Sequence, residues 1–181
     1  MNLENDYKIN EDILKFKIPR WEDLPQIDLY MDQLVTFIEN ELSLFPIGNT
    51  DNLITPSMVN NYVKLNLIPR PEKKKYDRTH IAYLITIIIL KEVFTIQQIK
   101  DGILTQTFLY GEKKAYNLFC DEQEKSLKYI VDFINLDETK TSIELEKNVI
   151  PITMATLTFA SKVMSRELIS SQKHSIENQE I

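Results

Sequence analysis

The sequence predicts a mostly α-helical globular protein, on three observations. Apolar residues recur at three- and four-residue steps along most of the chain, a spacing that places them on one face of a helix. Several of these stretches begin with a Thr or Asp that can cap a helix. Only three glycines occur among 181 residues, which argues against a hairpin-rich β protein.

The composition indicates a soluble, cytoplasmic protein. It is 43% hydrophobic and 27% charged, which suits a chain that buries a core. The single Cys120 excludes an internal disulfide framework. Residues 1–15 are acidic rather than basic-then-apolar, so no signal peptide is predicted. The longest apolar run, residues 81–90, is shorter than the about 20 residues that cross a bilayer, so no membrane association is expected.

The amino-terminal part should contain an arm and one amphipathic helix. Residues 1–19 are predicted to be a flexible arm. Asp28 is placed to cap a helix that reaches about residue 44. Trp21 is expected to pack on that helix as a core residue, with a ligand-stacking role as the alternative. The buried stripe of the helix is predicted to be Ile27, Met31, Leu34, Ile38 and Leu42.

The central segment is predicted to contain a short helix that ends before a proline and is followed by a basic turn. Thr55 is a suitable N-cap for a helix over residues 57–65. Asn66 tolerates the left-handed conformation that closes a helix, and Pro69 prevents its continuation. Residues 72–76 have the length of a small hairpin or wing, although they lack an Asn-Gly turn signal.

Two further helices are predicted next. Asp77 should cap a helix over residues 78–93 that is apolar on two sides and therefore central, although its β-branched run also fits a strand. Thr95 should open the second through a capping box with Gln98. The core residues of the central helix are predicted to be Ile81, Leu84, Ile85 and Ile88.

The last third is predicted to hold two helices and a disordered tail. Asp121 and Glu124 suit a capping box for a helix over residues 121–136. A final helix over residues 151–170 is apolar on two faces, so either a second subunit or the amino-terminal helix should cover one of them. Residues 171–181 are polar and predicted to be disordered.

Charge is distributed unevenly. The net charge of −6 opposes binding to nucleic acid. Residues 55–80 nevertheless carry six basic and two acidic residues, or +4, which leaves −10 elsewhere. Such a concentration of positive charge is typical of a phosphate-binding surface, and a solvated lysine turn is the alternative.

The order of these parts resembles the winged helix-turn-helix of MerR-type transcription regulators. Tyr62 matches the second tyrosine of that family's first helix, and Lys74 and Tyr76 match the end of its wing. The segments Leu67-Ile68-Pro69 and Phe94-Thr-Ile-Gln-Gln-Ile99 match family motifs as well. The sequence departs from the family pattern at Asn60, where an arginine is usual, and at Asn66 and Val93, where glycines are usual.

A resemblance over more of the chain is to a bacterial family catalogued as a domain of unknown function, number eighteen-thirty-six. It is carried by the run Arg20-Trp-Glu-Asp-Leu-Pro25 to Leu34 and by residues 53–84. That family is regarded as MerR-like, with no established activity. The two resemblances together imply a winged helix-turn-helix domain with a small β-wing over residues 20–110, and a dimerisation or effector region of carboxy-terminal helices over residues 111–170.

Two functions are compatible with these patterns. The first is a dimeric transcription regulator that binds double-stranded DNA, with asparagines of helix 57–65 reading adenine and cations holding phosphates. The second is a protein-interaction adaptor of the same shape that does not bind DNA. A small-molecule effector is left unspecified. The predicted DNA-binding residues are Ser57, Asn60, Asn61, Lys64, Arg70, Lys73, Lys74, Lys75 and Arg78.

No pattern in the sequence predicts an enzyme, a metal site or a cofactor. His80 and His174 have no cysteine or carboxylate at ligand spacing. Three isolated glycines cannot form a phosphate-binding loop. Cys120 is expected to be a core residue rather than a nucleophile.

Overall fold

Seven helices form the part of the protein that the computed structural model describes, which is residues 12–47, 52–135 and 147–177. This confirms the prediction of a mostly helical protein. None of these helices is long and apolar enough to cross a membrane. In chain order they are α1 (Asp12–Lys15), α2 (Met31–Leu42), α3 (Pro56–Lys64), α4 (Arg78–Leu90), α5 (Ile96–Tyr110), α6 (Glu112–Ile134) and α7 (Ile150–Glu177).

The central element is α4, which contacts α2, α5, α6 and α7. It begins where the carboxylate of Asp77 accepts a hydrogen bond of 3.1 Å from the backbone N–H of His80. The helix thus has the predicted cap, and the strand alternative is wrong. The four predicted core residues, Ile81, Leu84, Ile85 and Ile88, are all completely buried.

Three other predicted helix signals are confirmed. Thr55 Oγ1 accepts a hydrogen bond of 3.2 Å from the backbone N–H of Met58 at the start of α3. Asn66 has a φ of 51° just after α3, which is the left-handed conformation expected at a helix end. Thr95 and Gln98 form the predicted reciprocal capping box of α5.

The start of α2 differs from the prediction. Asp28 is not its cap, because the helix begins at Met31 with Tyr30 in the cap position. Backbone hydrogen bonds of 2.9 and 2.8 Å join Leu29 to Tyr76 and hold this part of the chain extended. Ile27, predicted to be in the buried stripe, is 72% exposed. This long-range pairing cannot be recognised in a local apolar pattern.

The predicted start of the next-to-last helix is also wrong. α6 begins at Glu112, and Asp121 lies within it instead of capping it. The break before α6 is at Gly111, whose φ of 74° ends α5 and suits a residue without a side chain. Residue 136, the predicted end of the helix, lies outside the described residues.

Residues 16–22, part of which was predicted to belong to a flexible arm over 1–19, form a strap along α6. Ile18 is buried, and Tyr116 of α6 donates a hydrogen bond of 2.8 Å to the carbonyl of Pro19. The guanidinium of Arg20 forms ion pairs of 2.9 Å with Asp121 and 2.7 Å with Glu124. The two carboxylates predicted to cap a helix therefore bind the strap.

Trp21 packs against α6. Its ring meets the ring of Tyr116 edge-on, with a distance of 6.5 Å between centroids. Its backbone N–H donates to the side chain of Asn117, also on α6, at 2.9 Å. Trp21 therefore belongs to the contact between the strap and α6.

The apolar faces of α7 are covered within the chain. One side packs on α6 and another contacts α4. The ring of Phe159 stacks on Phe45, which follows α2, at 5.4 Å, and Arg166 donates to the carbonyl of Pro46 at 2.8 Å. Phe45 and Pro46, which follow the amino-terminal helix, thus supply part of this cover. The helix continues to Glu177, so residues 171–177 are helical rather than disordered, and 178–181 lie outside the described residues.

Buried hydrogen bonds join α6 to α7. Thr153 donates a hydrogen bond of 2.6 Å to the carboxylate of Glu122. The hydroxyls of Ser126 and Thr156 lie 2.8 Å apart. Because buried polar groups need partners, these pairs fix how the two helices face each other.

Replacing Ile85 by Asp should abolish cooperative folding. The new carboxylate would be unpaired in the core, and the lost packing alone costs about 2–5 kcal/mol against a typical stability of about 5–15 kcal/mol. Thermal unfolding followed by circular dichroism measures this. The control is Ser57→Asp, an exposed position in the first turn of α3, which should melt like the wild type. A cooperative, near-native transition for Ile85→Asp would contradict the role of α4.

The strap should weaken in acid through Glu124. Burial raises the pKa of this carboxyl, but hydrogen bonds from Arg20 and Lys17 outweigh burial and hold the pKa below its ordinary value. Because the folded pKa is depressed, the stabilisation is present above the ordinary carboxyl pKa of about 4.3 and is lost as the pH falls below it.

Urea unfolding at pH values from 7 to 3, followed by fluorescence of the single Trp21, measures this loss. Glu124→Gln should be less stable at pH 7 and depend less on pH. Asp101→Asn, at an exposed position of α5, is the control and should keep the wild-type pH dependence. Equal pH dependence in Glu124→Gln and the wild type would assign the acid sensitivity to another group.

Candidate nucleic-acid interface

One face of α3 presents four of the nine predicted site residues together. Burial of Val59 and Tyr62 turns one side of the helix inward. The opposite side is exposed and, together with Met58, lines a shallow surface depression. The predicted residues in this depression are Ser57, Asn60, Asn61 and Lys64.

The predicted wing is a tight turn. The backbone N–H of Lys75 donates a hydrogen bond of 2.8 Å to the carbonyl of Glu72. Lys73 and Lys74, between them, have φ values of 49° and 62°. Two successive left-handed residues are the pattern of a type I′ turn, which normally contains Asn-Gly. Both lysine side chains are exposed.

A two-stranded β-wing is absent from the described residues. The extended pairing there consists of two isolated bridges, Glu72 with Lys75 and Leu29 with Tyr76. After the single bridge between Glu72 and Lys75, the chain that leaves the turn pairs through Tyr76 with Leu29, in the segment before α2. The expected hairpin is reduced to its turn.

Arg70 is exposed on the connection between α3 and this turn. The connection folds back onto α3, because the backbone N–H of Leu67 donates a hydrogen bond of 2.9 Å to the carbonyl of Tyr62. Leu67 and Ile68 are buried and anchor it. Arg70 is two residues beyond Ile68, so its Cα lies within about 7 Å of this anchor.

Two predicted phosphate ligands contact the protein itself. The ammonium of Lys75 lies 5.3 Å from the centre of the Tyr30 ring. The guanidinium of Arg78 donates to the carbonyl of Leu24 at 3.1 Å and lies 5.8 Å from the ring centre of Trp21. Arg78 is therefore partly engaged in holding the segment before α2, whereas Lys73 and Lys74 face solvent.

Lys100 is a further cation of this surface that sequence reasoning missed. It lies on α5, and its ammonium donates a hydrogen bond of 3.1 Å to the carbonyl of Leu65 at the end of α3. A cation there is favoured by the negative end of the helix dipole. Leu65 and Lys100 are 35 positions apart, so no local spacing could have indicated the contact.

Potential metal ligands are not clustered in the described residues. No cluster of three His, Cys, Asp or Glu side chains is placed to hold a metal ion there. Burial raises the pKa of the Cys120 thiol to about 12, so this cysteine is protonated at neutral pH and matches the predicted core residue.

The fold and this surface define a mostly helical protein that exposes a short polar helix and a basic turn. The chain belongs to the family described as Domain of unknown function (DUF1836), whose family model matches residues 19–119, more than half of its 181 residues. No curated protein and no solved structure is significantly similar to the chain.

Replacing the turn residues by Asn-Gly, as Lys73→Asn with Lys74→Gly, should stabilise the protein. The left-handed conformation costs an ordinary residue about 1–2 kcal/mol, and Asn and Gly adopt it more easily. Urea unfolding should show a gain of about 1 kcal/mol or more. The control is the same pair of replacements at Lys113 and Lys114 in the first turn of α6, where glycine should destabilise. A loss of stability for the turn variant would show that the turn is not strained.

Proposed function

We propose that the protein is a DNA-binding transcription regulator of MerR-like type that acts as a homodimer. In this proposal α3 enters the major groove, and the basic turn contacts the phosphate backbone. The proposal extends beyond membership of the family, whose description assigns no activity.

The observation that carries this proposal is the exposed polar face of α3. A helix that only packs against the core does not need paired donor and acceptor groups on its exposed face. Asn60 and Asn61 each offer a donor and an acceptor side by side on that face. That pair of groups complements N6 and N7 of adenine in the major groove. Ser57 and Lys64, on the same face, are suited to contacts with the DNA backbone.

The charge of the central segment supports backbone contact despite the acidic chain. Residues 55–80 carry +4, and the remaining residues carry −10. Lys73, Lys74 and Arg70 are exposed and can each neutralise a phosphate. The acidic remainder would limit the area of protein that approaches the duplex, so binding should be weak without correct placement of α3.

The homodimer has a different basis from the one that the sequence suggested. The apolar faces of α7 are covered within the chain, so α7 by itself does not require a second subunit. Leu104, Phe108 and Leu109 of α5 are more than half exposed and form an apolar area that a second copy would cover. Two copies of α3 in successive major grooves would then lie about 34–36 Å apart.

Reversing two charges of the turn, as Lys73→Glu with Lys74→Glu, should weaken binding to every duplex sequence. Each lost phosphate contact removes about 0.9 from the slope of log affinity against log salt, so the slope should fall by about 1.8. Fluorescence anisotropy with a labelled random duplex at 50–200 mM salt measures both quantities. Asn60→Ala should instead reduce discrimination among sequences selected from a random library, by about 1–3 kcal/mol.

The matched control reverses Lys128 and Lys147, which are exposed outside α3 and the turn. It changes the net charge by the same amount and should affect the slope less. An equal loss of affinity in both variants would show that the effect comes from the net charge of the protein. Unchanged binding in the turn variant would place DNA on another surface.

The second candidate function is a non-catalytic adaptor that binds proteins and not DNA. The net charge of −6 and the presence of Asn60 where MerR-type proteins usually have arginine favour it. Absence of binding to any duplex at 50 mM salt, with the protein folded, would favour the adaptor over the regulator.

A further inference from the structure

A cavity of about 490 Å³ opens between α4, α5, α6 and α7. It is separate from the candidate DNA surface, since none of the nine predicted site residues lines it. Its volume is in the range of small-molecule sites, about 300–1,000 Å³. Most of its wall is apolar, with Leu90, Phe94, Ile103, Phe119, Ile152 and Met154 among the lining residues.

The threonine hydroxyls in the wall already have partners. Thr86 donates to the carbonyl of Ala82 at 2.9 Å, and Thr107 donates to that of Ile103 at 2.8 Å. Each hydroxyl thus satisfies its donor within its own helix. Their oxygens could still accept a hydrogen bond from an occupant, but these hydroxyls are already paired when the cavity is empty.

Gln106, in contrast to these hydroxyls, has an acceptor without a partner in the described part of the chain. Its side-chain oxygen is buried, lines the cavity and accepts no hydrogen bond from any described residue. A buried acceptor without a donor costs about 1–3 kcal/mol, so such groups are rare in folded proteins. A ligand that carries an N–H or O–H group would remove this cost.

Gly102 adds a second feature of the cavity. It lies in the interior of α5, where glycine is about 1 kcal/mol less favourable than alanine. A Cβ built at this position meets no atom within 4 Å. Packing therefore does not demand glycine here, and its missing side chain leaves the edge of the cavity open.

We propose that this cavity binds a mostly apolar small molecule that donates a hydrogen bond to Gln106. A hydroxylated or amide-bearing aromatic or terpenoid compound fits this description. A docked helix fits less well, because its backbone N–H groups bond within the helix and would leave Gln106 unpaired. The proposal does not depend on DNA binding.

The test uses a pair of probes that differ in one donor. 2-Naphthol carries an O–H, and 2-methoxynaphthalene has a similar apolar body without a donor. Equilibrium dialysis with the full chain should show saturable binding of both, with 2-naphthol tighter by about tenfold, the upper effect of one neutral hydrogen bond. Gln106→Leu should remove this preference and leave the affinity for 2-methoxynaphthalene within about twofold, because the packing area is retained.

Gly102→Leu should fill the edge of the cavity and lower the affinity for both probes at least about tenfold, while a better helix former keeps or raises the melting temperature. Thr105→Leu, at an exposed position of α5 outside the lining, is the control and should bind like the wild type. Two results would overturn the proposal. One is no saturable binding of 2-naphthol at millimolar concentration, and the other is binding that neither Gly102→Leu nor Gln106→Leu changes.

Discussion

The structure depends on the removal of α4 from water. Eight of its thirteen residues are buried, including a run of β-branched side chains that is apolar around nearly the whole helix. A helix of this kind cannot be amphipathic at a surface, so it needs neighbours on every side. α2, α5, α6 and α7 supply them. The strap and the α6–α7 hydrogen bonds then hold those neighbours in place around α4.

The sequence predicted those parts of the fold that depend on neighbours within one or two turns. The caps at Thr55, Asp77 and Thr95 act over three residues, and the core of α4 follows from its own periodicity. The errors arose where distant partners decide. Asp121 matches a helix start locally, but its carboxylate binds Arg20, which is 101 positions away. The pairing between Leu29 and Tyr76 likewise overrides the expected cap of α2.

The candidate interface was predictable to the same extent. The side of α3 opposite Tyr62 follows from helical spacing, and its exposure agrees with that expectation. The orientation of Arg78 towards Leu24 was not predictable, because it depends on how the segment before α2 folds back. The cavity beside Gln106 was not predictable from any sequence pattern either, because it forms where four helices leave the space between them unfilled.

The contact between Phe45 and Phe159 has a consequence for synthesis of the chain. A ribosome makes the two rings 114 positions apart, and Arg166 reaches Pro46 across 120 positions, so the core closes only after α7 has emerged. Until then the run Ile85-Thr-Ile-Ile-Ile89 lacks the cover that α7 provides, and it combines high β-propensity with the absence of charge. The nascent protein thus carries an incompletely covered, aggregation-prone segment until α7 has been made, and chaperone capture in that interval would protect it.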